Sequence, residues 1–315
     1  MKKRIISVLL ATVFALSVIG CGTKDTKEQD AYRQYGITCM ESGKYEDAVK
    51  AFQNALGESI GHIGEKELDI CFYKAKAQAL DGKTKDALAT YNAIIKYNKD
   101  ARAYYLRGDL YMDMGEEKKG RADFESAVQQ GKKNYEIYIG IYESLSRHEK
   151  KDEGQKYLSA AMEIKGDKPE DELYKGRISY LLGENKDAIS YLEKAKEHKQ
   201  MLASYYLGLA YDANGDSDKA KKCIAEYIKS GVATSYDLYE LGMQEMQDGN
   251  YKNALTYFNS GLELEKVPNK QNLMKSAIAA YEYSGDFDSA KKMMKEYLKA
   301  YPDDEEAKHE NTFLE

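Results

Sequence analysis

The chain has 315 residues, 43% hydrophobic and 32% charged, with 47 Lys and Arg against 53 Asp and Glu for a formal charge of −6. An acidic balance excludes electrostatic attraction to nucleic acid or to anionic lipid headgroups. The length alone would allow about two domains, but three prolines, no Ser-rich or Pro-rich stretch and no strand-like alternation argue against a second fold.

In chain order, Lys2, Lys3 and Arg4 precede an apolar run of 15 residues, Ile5 to Ile19. That run is too short to span a bilayer comfortably and fits a secretory leader over residues 1–20. It ends on Val18, Ile19, Gly20 and Cys21, which resembles a bacterial lipobox. The resemblance implies that the Cys21 thiol carries diacylglycerol and that the leader is cut before it. It also implies a palmitate-bearing lipoprotein held on the extracytoplasmic side of the bacterial cell membrane. Two acyl chains on one residue anchor stably where one would not. The alternative is a secreted protein cleaved near Gly20, with Cys21 incidental. Without Lys2, Lys3 and Arg4, 44 basic residues face 53 acidic ones, a balance of −9. Residues 21–28 then form a short tether, and Gly22 to Glu28 reach about 25 Å at most when extended. The first folded element should therefore hang near the membrane, along with its partner.

From residue 29 onward one spacing returns: a Gly, a second Gly seven residues later, and an Ala five after that. It occurs at Gly36, Gly43, Ala48; Gly176, Gly183, Ala188; Gly208, Gly215, Ala220; and Gly242, Gly249, Ala254. A near-copy at Gly108, Gly115, Gly120 has Gly in place of the Ala, and partial copies remain at Gly82, Ala87 and Gly285, Ala290. Self-similarity with a period of about 34 residues predicts an array of helical hairpins. Units begin near 29, 68, 101, 135, 169, 201, 235 and 271, and cover residues 29–302. Small residues allow two antiparallel helices to approach, and the middle Gly suits a turn with positive φ. Four positions after the last small residue comes Phe52, Tyr91, Phe124, Leu192, Ile224, Phe258 or Met294, which predicts a buried stripe on every second helix. In the fourth unit Gly140 and Gly154 lie fourteen apart rather than twelve, predicting a longer turn around Arg147 to Asp152. The segment Gly57 to Lys66 reads as a longer connector, either a hinge or a variable loop. The tail 303–315, opening on Asp303, Asp304, Glu305 and Glu306, reads as a short capping helix after Pro302.

Chemistry is sparse. His62, His148, His198 and His309 have no metal-spaced partner, and no nucleophile elbow or phosphate-cradling loop is present. No cofactor, no metal and no enzymatic activity are expected. Asp212, Asn214, Asp216 and Asp218 imitate the start of a calcium loop, but Cys223 stands where a bidentate Glu belongs. Asp216, with Asn250 and Asp286 at the equivalent sites, reads as a helix N-cap. Cys39, Cys71 and Cys223 are read as free thiols.

The small and bulky positions resemble the tetratricopeptide repeat, although the large aromatic that opens many such repeats is often missing and there is no Trp. The resemblance implies an all-α, right-handed superhelical solenoid of about eight helix-turn-helix repeats. It further implies a concave groove lined by the first helix of each unit. Carried over position by position, the groove takes Arg102, Tyr105, Asp109 and Met112; Glu170, Leu173, Arg177 and Tyr180; Leu202, Tyr205, Leu209 and Asp212; and Tyr236, Tyr239, Met243 and Met246. Of these, Tyr105, Tyr180, Leu202, Tyr205, Leu209, Tyr236, Tyr239, Met243 and Met246 are the candidate binding residues, either a docking strip for a protein or peptide or side chains packed as core. Chaperone-tail recognition is not expected, because Arg33, Gln34, Ile37, Asp69, Tyr73 and Lys76 lack most of the required Lys, Asn and Arg clamp. The function implied is a lipid-anchored, non-catalytic interaction scaffold of the bacterial envelope that binds no nucleic acid. The alternative is a module for cell-wall glycan, in which groove Tyr stack on sugar faces.

Overall fold

The computed structural model describes residues 26–59, 63–166 and 168–314; the leader, Cys21 and most of the tether lie outside them. Among the described residues every regular element is a helix. In order these are α1 Thr26–Glu41, α2 Tyr45–Gly57, α3 Glu65–Leu80, α4 Thr84–Asn98, α5 Ala101–Asp113, α6 Glu117–Gln130, α7 Tyr135–Arg147, α8 Lys151–Met162 and α9 Pro169–Leu182. They continue as α10 Asn185–Glu197, α11 Leu202–Ala213, α12 Ser217–Lys229, α13 Ser235–Gln247, α14 Tyr251–Leu262, α15 Lys270–Ser284, α16 Phe287–Ala300 and α17 Glu305–Leu314. Two compact units divide the chain, residues 1–184 with α1 to α9 and residues 185–315 with α10 to α17. No helix among the described residues is long and apolar enough to cross a membrane.

The hairpins form where the spacing places them. In unit 2, α11 and α12 are separated only by Asn214, Gly215 and Asp216, and Gly215 takes φ +84°, a left-handed conformation open to Gly at little cost. Asp216 then caps α12 by accepting from the Lys219 N–H at 3.3 Å, and Asp286 caps α16 from the Ser289 N–H at 3.1 Å. Asn250 stands at the same place before α14 but makes no side-chain cap bond, so only two of the three anticipated caps operate.

Helix pairing rests on the predicted stripe. Phe52, Phe124, Leu192 and Phe258 have no exposed surface, and Tyr91, Ile224 and Met294 are buried with them. Gly36, Gly108, Gly208 and Gly242 make room for that bulky residue: a Cβ on Gly242 would lie 2.2 Å from Phe258 Cε1, and one on Gly36 2.6 Å from Phe52 Cε1. The departure at residue 120 has the same kind of cause. Met112 Sδ sits 2.7 Å from where a Cβ on Gly120 would be, so an Ala cannot be seated there without moving Met112.

The fourth hairpin corrects the expectation of a longer turn. Only His148, Glu149 and Lys150 separate α7 from α8, a three-residue turn like that between α5 and α6 or α11 and α12, with Glu149 at φ 62° where other turns carry Gly. Gly140 is not the counterpart of Gly242. Its missing Cβ is replaced by the Tyr105 ring of α5, 2.6 Å away at Cζ, while Gly154 of α8 crosses α7 against Tyr142 at 3.1 Å. Twelve residues from Tyr142 to Gly154 restore the usual register, with a large residue where the Gly was anticipated.

Candidate interaction surface

In unit 1 the first helices are α1, α3, α5, α7 and α9, and their outward rows are tied together by charge. Arg33 of α1 meets Asp69 of α3 at 2.6 Å and lies over the Tyr73 ring at 5.1 Å. Asp109 of α5 takes Arg147 of α7 at 2.5 Å. Glu143 and Glu136 of α7 take Arg177 of α9 at 3.0 and 3.4 Å. Burial raises the Glu143 carboxyl even with the Arg177 guanidinium opposing it. Beside this ladder, His148 Nε2 is 3.2 Å from Asp113, and its Nδ1 is 2.8 Å from the Ser144 carbonyl oxygen. Lys76 of α3 is half-buried without an ion pair among the described residues, and burial alone pushes its amine below the ordinary value.

The anticipated groove positions of this unit divide. Met112 and Leu173 are buried core, because Met112 fills the space left by Gly120 and Leu173 sits in the interior of α9. Tyr105 is half-buried, its tip seated on Gly140 and its ring 6.4 Å from that of Phe124. Burial, followed by the Asp109 charge, lifts its phenol well above the ordinary value. It fastens α5 to α7. Tyr180 is half-buried near the end of α9, and Arg102 is exposed, lying 4.6 Å over the Phe72 ring.

Unit 2 presents α11, α13 and α15, and the side chains placed there are mostly apolar. Leu202 is exposed (36%) at the start of α11. Tyr205 packs edge-on to Tyr206 at 5.1 Å and leans on Tyr227 at 5.3 Å, while Leu209 rests on the cluster of Ile224, Leu238 and Leu241. Tyr236 is half-buried on α13. Tyr239, Met243 and Met246 come together as half-buried side chains over Phe258, Leu273 and Ala277. The Tyr239 ring stands 6.2 Å from Phe258, and the Ser276 hydroxyl of α15 donates to Met243 Sδ at 3.6 Å. Each of these residues therefore gives one side to the contact between neighbouring repeats and leaves the other accessible.

Three carboxylates share this face, and the residue pattern did not single them out as a set. Asp212 lies in the last turn of α11, Glu240 lies between Tyr236 and Met243 on one stripe of α13, and Glu282 lies on α15. None has a cation or hydrogen-bond donor among the described residues. Lys275, on the same stripe as Glu282, is committed to Asp304 at 2.8 Å. Opposite charges roughly one repeat apart, such as Arg33 with Asp69 or Glu143 with Arg177, are a sequence signal for a closed ladder. That spacing is not sufficient, since Glu240 and Lys275 are also about one repeat apart while Lys275 goes to Asp304 instead. Among the described residues no group of His, Cys, Asp or Glu is arranged to hold a metal ion. Cys39 and Cys223 are buried and Cys71 half-buried, all three as free thiols.

No curated protein matches this sequence significantly. Among solved structures, a tetratricopeptide repeat protein from Parabacteroides merdae is 12% identical at TM-score 0.47, over 80% of this chain and 98% of that one. A chain of the APC/C hetero-tetramer Cut9–Hcn1 is 16% identical at TM-score 0.44, over 93% and 56%. PilW, a widely conserved type IV pilus biogenesis factor, is 17% identical at TM-score 0.43, over 66% and 97%. Tetratricopeptide-repeat models match residues 74–135 in unit 1 and residues 202–230 and 271–304 in unit 2. Those segments are similar to tetratricopeptide repeats and lie in both units.

Proposed function

We propose that the protein is a lipid-anchored scaffold of the bacterial envelope that holds a membrane-near protein or peptide on its first-helix face, without chemistry of its own. The observation that carries the docking part is the row in unit 2 where Tyr239, Met243 and Met246 are half-buried around Phe258 while Leu202 stays exposed. Residues that keep one side accessible and resist collapse into the core are suited to a partner's apolar side chains. The anchor rests on the leader, with Lys2, Lys3 and Arg4, the apolar run and Val18-Ile19-Gly20-Cys21 in the order a lipobox requires.

Both parts have a direct test. Bacteria producing the protein and fed an alkyne analogue of palmitate should label it. Cys21→Ser should remove the label and shift the protein from the membrane to the soluble fraction. A Cys21→Ser protein that stays membrane-bound contradicts the anchor. For the face, Leu202→Glu adds a charge at an exposed position and should reduce partner recovery from native membranes without altering the helical circular dichroism. Unchanged recovery contradicts the docking role of α11.

A further inference from the structure

Resting on that reading of the face, we infer that the partner segment docked on α11, α13 and α15 is basic as well as apolar, carrying Lys or Arg side chains against Asp212, Glu240 and Glu282. The two units differ in how they treat their first-helix carboxylates. Unit 1 closes Asp69, Asp109 and Glu143 with Arg33, Arg147 and Arg177, and a closed ion pair has little left to offer an incoming charge. Unit 2 leaves its three carboxylates open and spends its one cation on that stripe, Lys275, on Asp304. Glu240 is flanked by Tyr236 four residues before it and Met243 three residues after it, so charge and apolar surface alternate on a single helix stripe.

The energetics run the same way. Burial, then the neighbouring Asp237, raises the Glu240 carboxyl above its ordinary value; burial, then Glu310, does the same to Glu282. Each is a charge at a disadvantage in the free protein, and a cation brought beside it relieves that disadvantage. A single metal ion does not meet the need, because the carboxylates sit on three helices and do not form a metal-holding group. Adjacent packed helices lie about 8–10 Å apart. A peptide that places one cation per helix therefore needs them about three residues apart when extended, or about two turns apart when helical.

The test uses the full-length protein and three fluorescent 18-residue peptides. One has Leu at i and i+4 with Lys elsewhere, one has Glu in place of every Lys, and one scrambles the Lys peptide. The Lys peptide should bind about tenfold tighter than the Glu peptide and tighter than the scramble, and added salt should weaken it. Glu240→Gln and Glu282→Gln should each weaken it about two- to fivefold, and both together with Asp212→Asn about tenfold or more, with helicity unchanged. Equal affinity for the Glu peptide, or an unaltered triple variant, overturns the inference. Amide exchange separates the two levels. A Glu peptide that protects α11, α13 and α15 as well as the Lys peptide sinks the charge argument and leaves the docking face standing. Failure of all three peptides to protect those helices, or protection confined to α12, α14 and α16, removes both.

Discussion

Replacing Gly242 by Ala sets two magnitudes against each other. Ala in a helix interior is favoured over Gly by about 1 kcal/mol, so propensity alone predicts a more stable protein. At Gly242, however, the new Cβ would sit 2.2 Å from Phe258 Cε1, 2.5 Å from Cδ1 and 2.8 Å from Cζ. Carbon atoms rest about 3.5–4 Å apart, so the ring must retreat by roughly 1 Å or more. It has nowhere to go, since Phe258 is fully buried among Ala254, Leu273 and Ala277. Overpacking of this kind costs about 1–3 kcal/mol, leaving a net loss of up to about 2 kcal/mol after the propensity gain. Gly261→Ala is the control: its Cβ meets the flexible ends of Leu273 at 3.2 Å, so gain and strain nearly cancel. Stability is read by urea denaturation together with amide exchange in α13 and α14, because repeat arrays open locally. A Gly242→Ala protein more stable than the parent by the full propensity gain, with slower exchange in α13 and α14, refutes the close approach of Gly242 and Phe258.

Further expectations concern single groups. Glu149→Gly should stabilise the α7–α8 hairpin by about 1 kcal/mol, because the left-handed conformation at φ 62° is strained for Glu, and slower exchange in α8 is the readout. Lys76→Met should stabilise unit 1 by about 0.5–2 kcal/mol at pH 7, since burial disfavours an ammonium without an ion pair; a lower urea midpoint contradicts this. Asp304 accepts from Lys275 at 2.8 Å, from the Tyr297 hydroxyl at 2.5 Å and from the Ala307 N–H at 3.1 Å, and the Lys275 contact foremost holds its carboxyl well below the usual range. A lowered carboxyl stabilises above its unfolded value and loses that contribution as pH falls. Asp304→Asn should thus loosen α17 by about 1–2 kcal/mol near pH 7. The difference from the parent should vanish as the pH drops well below about 4, monitored by exchange at Ala307 and beyond.

The hairpins were legible because their signals are local: Gly at a left-handed turn and a bulky residue twelve to sixteen positions from its small partner act within one unit. The fourth hairpin misled for the same reason. Its Gly140 answers to Tyr105 in the preceding hairpin, a contact no spacing inside the unit reveals. Groove positions transferred unevenly, since exposure on a first helix depends on what the neighbouring helix places against it. Met112 became core through Gly120, while Leu202 kept its exposure. Ion pairs such as Arg147 with Asp109 join residues 38 positions apart and emerge only once adjacent first helices are set in register.

The central claim is that the first-helix side, and not the second-helix side, meets the partner. A photo-crosslinking amino acid placed in cells at Leu202 or Glu240, and separately at the exposed Lys252 of α14 or Lys295 of α16, tests it most directly. The account predicts one discrete membrane-fraction adduct from residues 202 and 240, and none from 252 or 295. An adduct of equal yield at all four sites, or one arising only from the second helices, would contradict it.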